Sequence, residues 1–128
     1  MLLDCDLYVN LEKALKKIDF NGLFVSVSID PVSIYHKNKD YFIVDFIVEL
    51  HVFGWDKHIL KSKAIKKRQK LESILKESYG LKKPLRGKKE VEYDESTDTY
   101  RQDRYLSYWL TLDQLKTLYL VLKIQEKK

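Results

Sequence analysis

The 128-residue chain carries 24 Lys and Arg against 19 Asp and Glu, a formal net charge of +5, with 45% hydrophobic and 34% charged residues. That much apolar content excludes a disordered chain, and the length fits one domain able to bury about two thirds of its unfolded surface without a covalent staple. The longest apolar stretch, 41–53, is broken by Asp45, Glu49 and His51 and falls short of the roughly 20 apolar residues a membrane-spanning helix needs.

The N-terminus reads Met1-Leu2-Leu3-Asp4-Cys5-Asp6. Without a basic n-region or a small-residue cleavage site it does not resemble a signal peptide, and a cytoplasmic location is expected. Cys5 is the single cysteine, which excludes an internal disulfide and every multi-cysteine zinc pattern; its expected role is that of a small buried hydrophobe. Asn and Gln are scarce and Met1 is the one methionine, a bias shared with hyperthermophile proteins.

In chain order, Asn10 is a candidate cap for a helix over 11–19, with Leu11, Ala14, Leu15 and Ile18 at i, i+3, i+4 and i+7 and Asn21-Gly22 as the stop. From Leu23 the period becomes two. Leu23, Val25, Val27 and Ile29 share one face of a half-buried strand, which Pro31 interrupts and 32–35 prolongs past a bulge. The polar turn 36–40 then joins it to a long strand over 41–53, so the two form an antiparallel hairpin. One face of that second strand is wholly apolar: Phe42, Val44, Phe46, Val48, Leu50 and Val52.

Asp56 is the expected N-cap of a helix running to Tyr79 and closed by Gly80. Its apolar stripe is Leu60, Ala64, Leu71, Ile74 and Leu75, with Lys67 falling inside it and no apolar side chain between Lys66 and Lys70. Residues 80–98 are poor in apolar groups and read as a flexible loop leading into a second hairpin, 90–95 with 100–110. The segment 100–110 also fits a helical spacing. As a strand it places Arg101, Tyr105 and Trp109 on one face and Leu106, Tyr108 and Leu110 on the other. Thr111 and Gln114 match a capping box that starts a last helix, ending near Ile124 and apolar nearly all round. The architecture expected is a single α+β domain spanning 1–128: a four-stranded antiparallel sheet of two hairpins, one face covered by the basic and C-terminal helices, the N-terminal helix at an edge. Surplus apolar surface on the last helix and on strand 41–53 predicts a homodimer.

Charge gives the functional signal. Residues 56–89 hold thirteen Lys or Arg and three acids, a local charge of +10, while the stretches before and after sum to −3 and −2. Concentrated positive charge attracts polyanions by counterion release. The predicted nucleic-acid-binding set is Lys61, Lys63, Lys66, Lys67, Arg68, Lys70, Lys82, Lys83, Arg86, Lys88 and Lys89, gripping DNA or RNA by its backbone without an enzymatic step. Arg101, Tyr105 and Trp109 are candidates for stacking unpaired bases. The opposing possibility is a solvated face, or one neutralised by the acids of 90–98. A second function is a protein-interaction module, of the kind encoded by viruses or mobile elements, that grips an acidic host protein. A third is a metal-dependent nuclease built on Asp45, Glu49 and His51, although residues four and six apart on a strand lie about 13 and 20 Å from each other. No catalytic motif, cofactor fingerprint or metal-ligand spacing stands out, so no cofactor is expected.

Overall fold

The computed structural model describes residues 1–127. Helix α1 (Cys5–Lys16) is followed by β1 (Val25–Ile29), β2 (Ile34–His36) and β3 (Lys39–Phe53), then by a 3₁₀ segment (Gly54–Ile59) leading into α2 (Leu60–Tyr79). The second half adds β4 (Leu85–Lys88), β5 (Glu92–Asp94), β6 (Thr99–Leu110) and α3 (Leu112–Glu126). The class is α+β with an antiparallel sheet, as the sequence predicts. Six strands, however, occupy four lanes in the order β1-β3-β6-β4, with β2 running on from β1 along β3 and β5 running on from β4 along β6.

The first hairpin turns on Lys37 and Asn38, both with positive φ (49° and 65°), the two-residue connection whose twist suits a hairpin. Between the pairs Ile29↔Val44 and Ile34↔Tyr41, residues 30–33 oppose only Phe42 and Ile43. Pro31, which has no N–H to give, thus sits in a bulge. Alternation along β3 sends Phe42, Val44, Phe46 and Val48 inward beside Leu106, Tyr108 and Leu110 of β6, and all are buried. The three helices lie on that face: Leu11 and Leu15 of α1, Leu71 and Leu75 of α2 and Leu115, Leu118 and Leu122 of α3 complete one core. A smaller second cluster, Leu50, Val52, Leu60 and Ala64, sits beneath the start of α2. Among the described residues the opposite sheet face carries no helix, and it leaves Tyr41, Ile43, Ile47, Tyr105 and Trp109 half-buried.

Several expectations are corrected. The first helix begins at Cys5, not at residue 11, because the Asp4 carboxylate accepts the Leu7 N–H at 3.1 Å and caps it. Asn10 is consequently an exposed mid-helix residue, and Cys5, in the first turn, is exposed rather than buried. Asp56 does not cap α2. The chain from Gly54 winds as a 3₁₀ segment, tied by the Gly54 N–H to the Asp98 carbonyl at 2.8 Å, and α2 starts at Leu60 without a side-chain cap. Its end is as predicted, with Gly80 in the left-handed region at φ 70°. Part of the expected loop is sheet, because β4 hydrogen-bonds to β6, while β5 pairs with the start of β6 as the predicted second hairpin. The last helix does start at Leu112 behind a complete Thr111–Gln114 capping box, yet it is buried along one stripe only, with Leu120 and Ile124 exposed. No helix among the described residues is long and apolar enough to cross a membrane.

Candidate nucleic-acid interface

Advancing about 100° per residue along α2 separates its cations into two flanks. Lys61 and Arg68 turn toward β6 and β4, whereas Lys63, Lys66 and Lys70 turn the other way, where the Lys70 ammonium donates to the Asn21 carbonyl at 3.2 Å. Lys67, inside the apolar stripe, is half-buried. Lys82 and Lys83 lie beyond the end of α2, beside Trp109 and Leu110. The eleven predicted cations therefore form three groups rather than one.

Two of the eleven are matched by acids. Arg86 makes a bidentate pair with Glu72 at 2.8 and 2.7 Å, and this contact holds the Glu72 carboxyl below the usual carboxylate range. Lys89 stands 4.0 Å from Asp103. Among the described residues the other nine have no carboxylate within ion-pair distance. The acids of 90–98 do not fold back on the helix: Asp94 accepts from Ser96, and Asp98 from the Tyr93 hydroxyl.

The group nearest β6 encloses a cleft of about 420 Å³, lined by Lys57, Leu60 and Lys61 on one side, Lys88 and Val91 on the other, and Tyr100, Gln102 and Arg104 beneath. Arg104 is 6% exposed, and its Nε and Nη2 donate to the neutral Gln102 Oε1 at 3.2 and 3.0 Å. No carboxylate pairs with it among the described residues. Burial, and then the charge of Arg68, pull its pKa below the ordinary arginine value. Arg68 in turn has a buried Nε with no hydrogen-bond partner among the described residues. Two guanidiniums thus sit partly desolvated and mutually repelling at the seam between the two core clusters, an arrangement an incoming anion relieves. The Lys57 ammonium lies 4.8 Å from the centre of the Tyr100 ring, whose neighbour Tyr93 is at 4.7 Å.

Lys57, Tyr100, Gln102 and Arg104 were missed from sequence. A signal was present: Leu106, Tyr108 and Leu110 continue N-terminally at period two into Arg104 and Gln102, polar residues in core-facing positions.

The predicted stacking trio does share the open sheet face, but not as exposed aromatics beside a free arginine. Arg101 donates to both Asp103 oxygens at 2.9 and 2.8 Å and to Glu49 at 3.0 Å, and the Asp103 contact raises its pKa further. Trp109 packs edge-on to His36 and tilted to Tyr41, each at 6.0 Å, and Tyr105 lies over Gly87, where a Cβ would overlap its ring. The exposed aromatic stack is Phe53 on Trp55, centroids 4.7 Å apart and 7° from parallel. The carboxylates of the nuclease reading have other partners: Asp45 accepts from Ser107, and Glu49 holds Arg101 and approaches His51 at 3.4 Å. Among the described residues no three His, Cys, Asp or Glu side chains gather as metal ligands.

Comparison with protein-family models, with curated proteins and with solved structures finds no match for this chain.

Proposed function

We propose that this protein binds nucleic acid, DNA or RNA, through its phosphate backbone and without an enzymatic step, using the cationic flank of α2 together with β4. The observation that supports this most is Arg104, a nearly buried cation with no acid to meet it, sharing its surroundings with Arg68 and three lysines. Backbone contacts of this kind give affinity with little base reading. Exposed aromatics at Phe53 and Trp55, at the end of β3, offer a surface for unpaired bases.

Fluorescence anisotropy with labelled oligonucleotides tests the proposal. If about four phosphates are neutralised, affinity falls by about two orders of magnitude between 50 and 200 mM salt. Absence of binding at low salt, or a flat salt dependence, refutes it. Pull-down with and without nuclease separates this reading from the acidic-protein alternative: capture that survives nuclease favours the protein partner.

The uncovered sheet face gives the homodimer its best footing, since Ile43, Ile47, Tyr105 and the exposed Leu85 form an apolar surface there. Light scattering during size exclusion should report twice the chain mass, and Leu85→Glu should return it to the monomer value. A monomer throughout removes this part of the proposal.

A further inference from the structure

We infer that the cleft beneath α2 is a phosphate pocket in which Arg104 is the guanidinium that grips the anion, with Lys57, Lys61 and Lys88 closing over it. This deepens the nucleic-acid reading and rests on it for the source of the phosphate, not for the chemistry of the pocket.

Arg104 enters the cleft from β6, directly opposite Val48 of β3, so its guanidinium is positioned by the central strands and not by a loop. Gln102, two residues earlier on the same face, holds Nε and Nη2 by its side-chain oxygen. That clamp fixes the plane of the fork and leaves the remaining N–H groups for a ligand. Every ionisable side chain lining the cleft apart from Tyr100 is cationic: Lys57, Lys61, Lys88 and Arg104. A carboxylate would bring one negative charge and two oxygens to that set. A phosphate monoester brings up to two charges and three oxygens, enough to meet a guanidinium fork and reach the lysines as well. A strand phosphodiester brings only one charge and two free oxygens, but its neighbours along the chain repeat them, so one phosphate meets the fork and the next the lysines. The apolar part of the wall, Leu60, Val91 and the Tyr100 ring, suits what phosphate is attached to: a sugar edge or a base. The volume of about 420 Å³ admits a group of nucleotide size.

Two sources share this chemistry, a phosphate of a nucleic-acid strand and that of a free nucleotide. The test titrates inorganic phosphate, AMP and a short single-stranded oligonucleotide into the whole protein, following the arginine Nε–H resonances by NMR and affinity by calorimetry. The expected result is a selective shift of the Arg104 Nε–H with AMP. Arg104→Gln should weaken AMP by at least about tenfold, the loss of a charge-assisted contact, and Arg104→Lys, which keeps charge but not the fork, should rescue only part. Thermal melting accompanies each variant, and since Arg104→Gln removes a repelled buried charge, it should melt no lower than the parent. Equal AMP binding by the parent and Arg104→Gln, or shifts confined to the acid-paired Arg86 and Arg101, overturns the pocket. Oligonucleotide binding that survives Arg104→Gln unchanged while AMP is weakened upholds the pocket for a free nucleotide and overturns the strand as its source. An Arg104 response to phosphate and AMP with no oligonucleotide binding upholds the pocket and overturns the nucleic-acid reading.

Discussion

Changing Lys61, Arg68 and Lys88 together to Glu should weaken a labelled single-stranded oligonucleotide by about a thousandfold at 50 mM salt, from three lost phosphate contacts and the repulsion that replaces them. The matching triple on the opposite flank, Lys63, Lys66 and Lys70 to Glu, should cost only about tenfold, because those side chains act on the strand at longer range through a screened field. The contrast follows from where α2 crosses the sheet. One flank looks down on Arg104 and the other toward Asn21, so the same change in net charge has unequal consequences. Lys67 is left out of both variants because it falls within the buried stripe, where a carboxylate would disturb folding as well as binding. Arg68→Glu adds an internal check. It places an acid beside Arg104, supplying the counter-charge the cleft lacks, so this single variant should melt higher than the parent while binding worse. Anisotropy titrations and melting curves on the same samples read both quantities. Equal losses from the two triples would mean that the cations act as one diffuse field and that the cleft has no special part in binding.

How much of this was legible beforehand depended on whether a feature is written in local periodicity. The inward run from Phe42 to Val52 and its partner Leu106, Tyr108 and Leu110 declare themselves because a strand repeats every two residues and one face must be apolar. The Thr111–Gln114 box and the Gly80 stop are equally local. Strand β4 is not: Leu85, Arg86, Gly87 and Lys88 lack alternation and β-branching, and they become a strand through the free edge of β6, with Gly87 making room for the Tyr105 ring and Arg86 anchored to Glu72. The early start of α1 was hidden by Asn10, a good cap by type, while Asp4 held the position. For the cleft, composition located the charge but not its arrangement. Lys61 and Lys88 are far apart in sequence and meet only because α2 packs across β6. What the sequence did contain was the polar interruption at Gln102 and Arg104, and the stretch of α2 from Lys66 to Lys70 without an apolar side chain, whose Arg68 comes close enough to Arg104 to lower its pKa. Two weak points in two apolar faces, brought opposite each other, leave the seam where the guanidiniums sit.

The largest stability effect should come from Phe46→Ala. Phe46 is fully buried at the middle of β3, its ring held edge-on between Phe20 at 6.2 Å and Tyr108 at 5.8 Å. Truncation removes the transfer energy of the ring and leaves a cavity bounded by strand and helix residues that cannot all close in, a loss of about 3–5 kcal/mol. Set against a total of about 5–15 kcal/mol for a domain, that should lower the melting temperature by more than about 10 °C. Its neighbour should respond with the opposite sign. The Tyr108 hydroxyl is buried without a hydrogen-bond partner among the described residues, and desolvation raises its pKa, so it stays neutral. Tyr108→Phe keeps the edge-on contact with Phe46 and deletes an unsatisfied polar atom, which should stabilise by about 1 kcal/mol. Chemical denaturation of the two variants, with similar slopes against denaturant, checks both numbers at once. If Tyr108→Phe is instead destabilised, the hydroxyl has a partner and the interior beneath Arg86 and Glu72 is wetter than its packing implies. Arg104 lies on the same face of β6, so a wet interior there would also put water beside the guanidinium and weaken the case that it needs an anion.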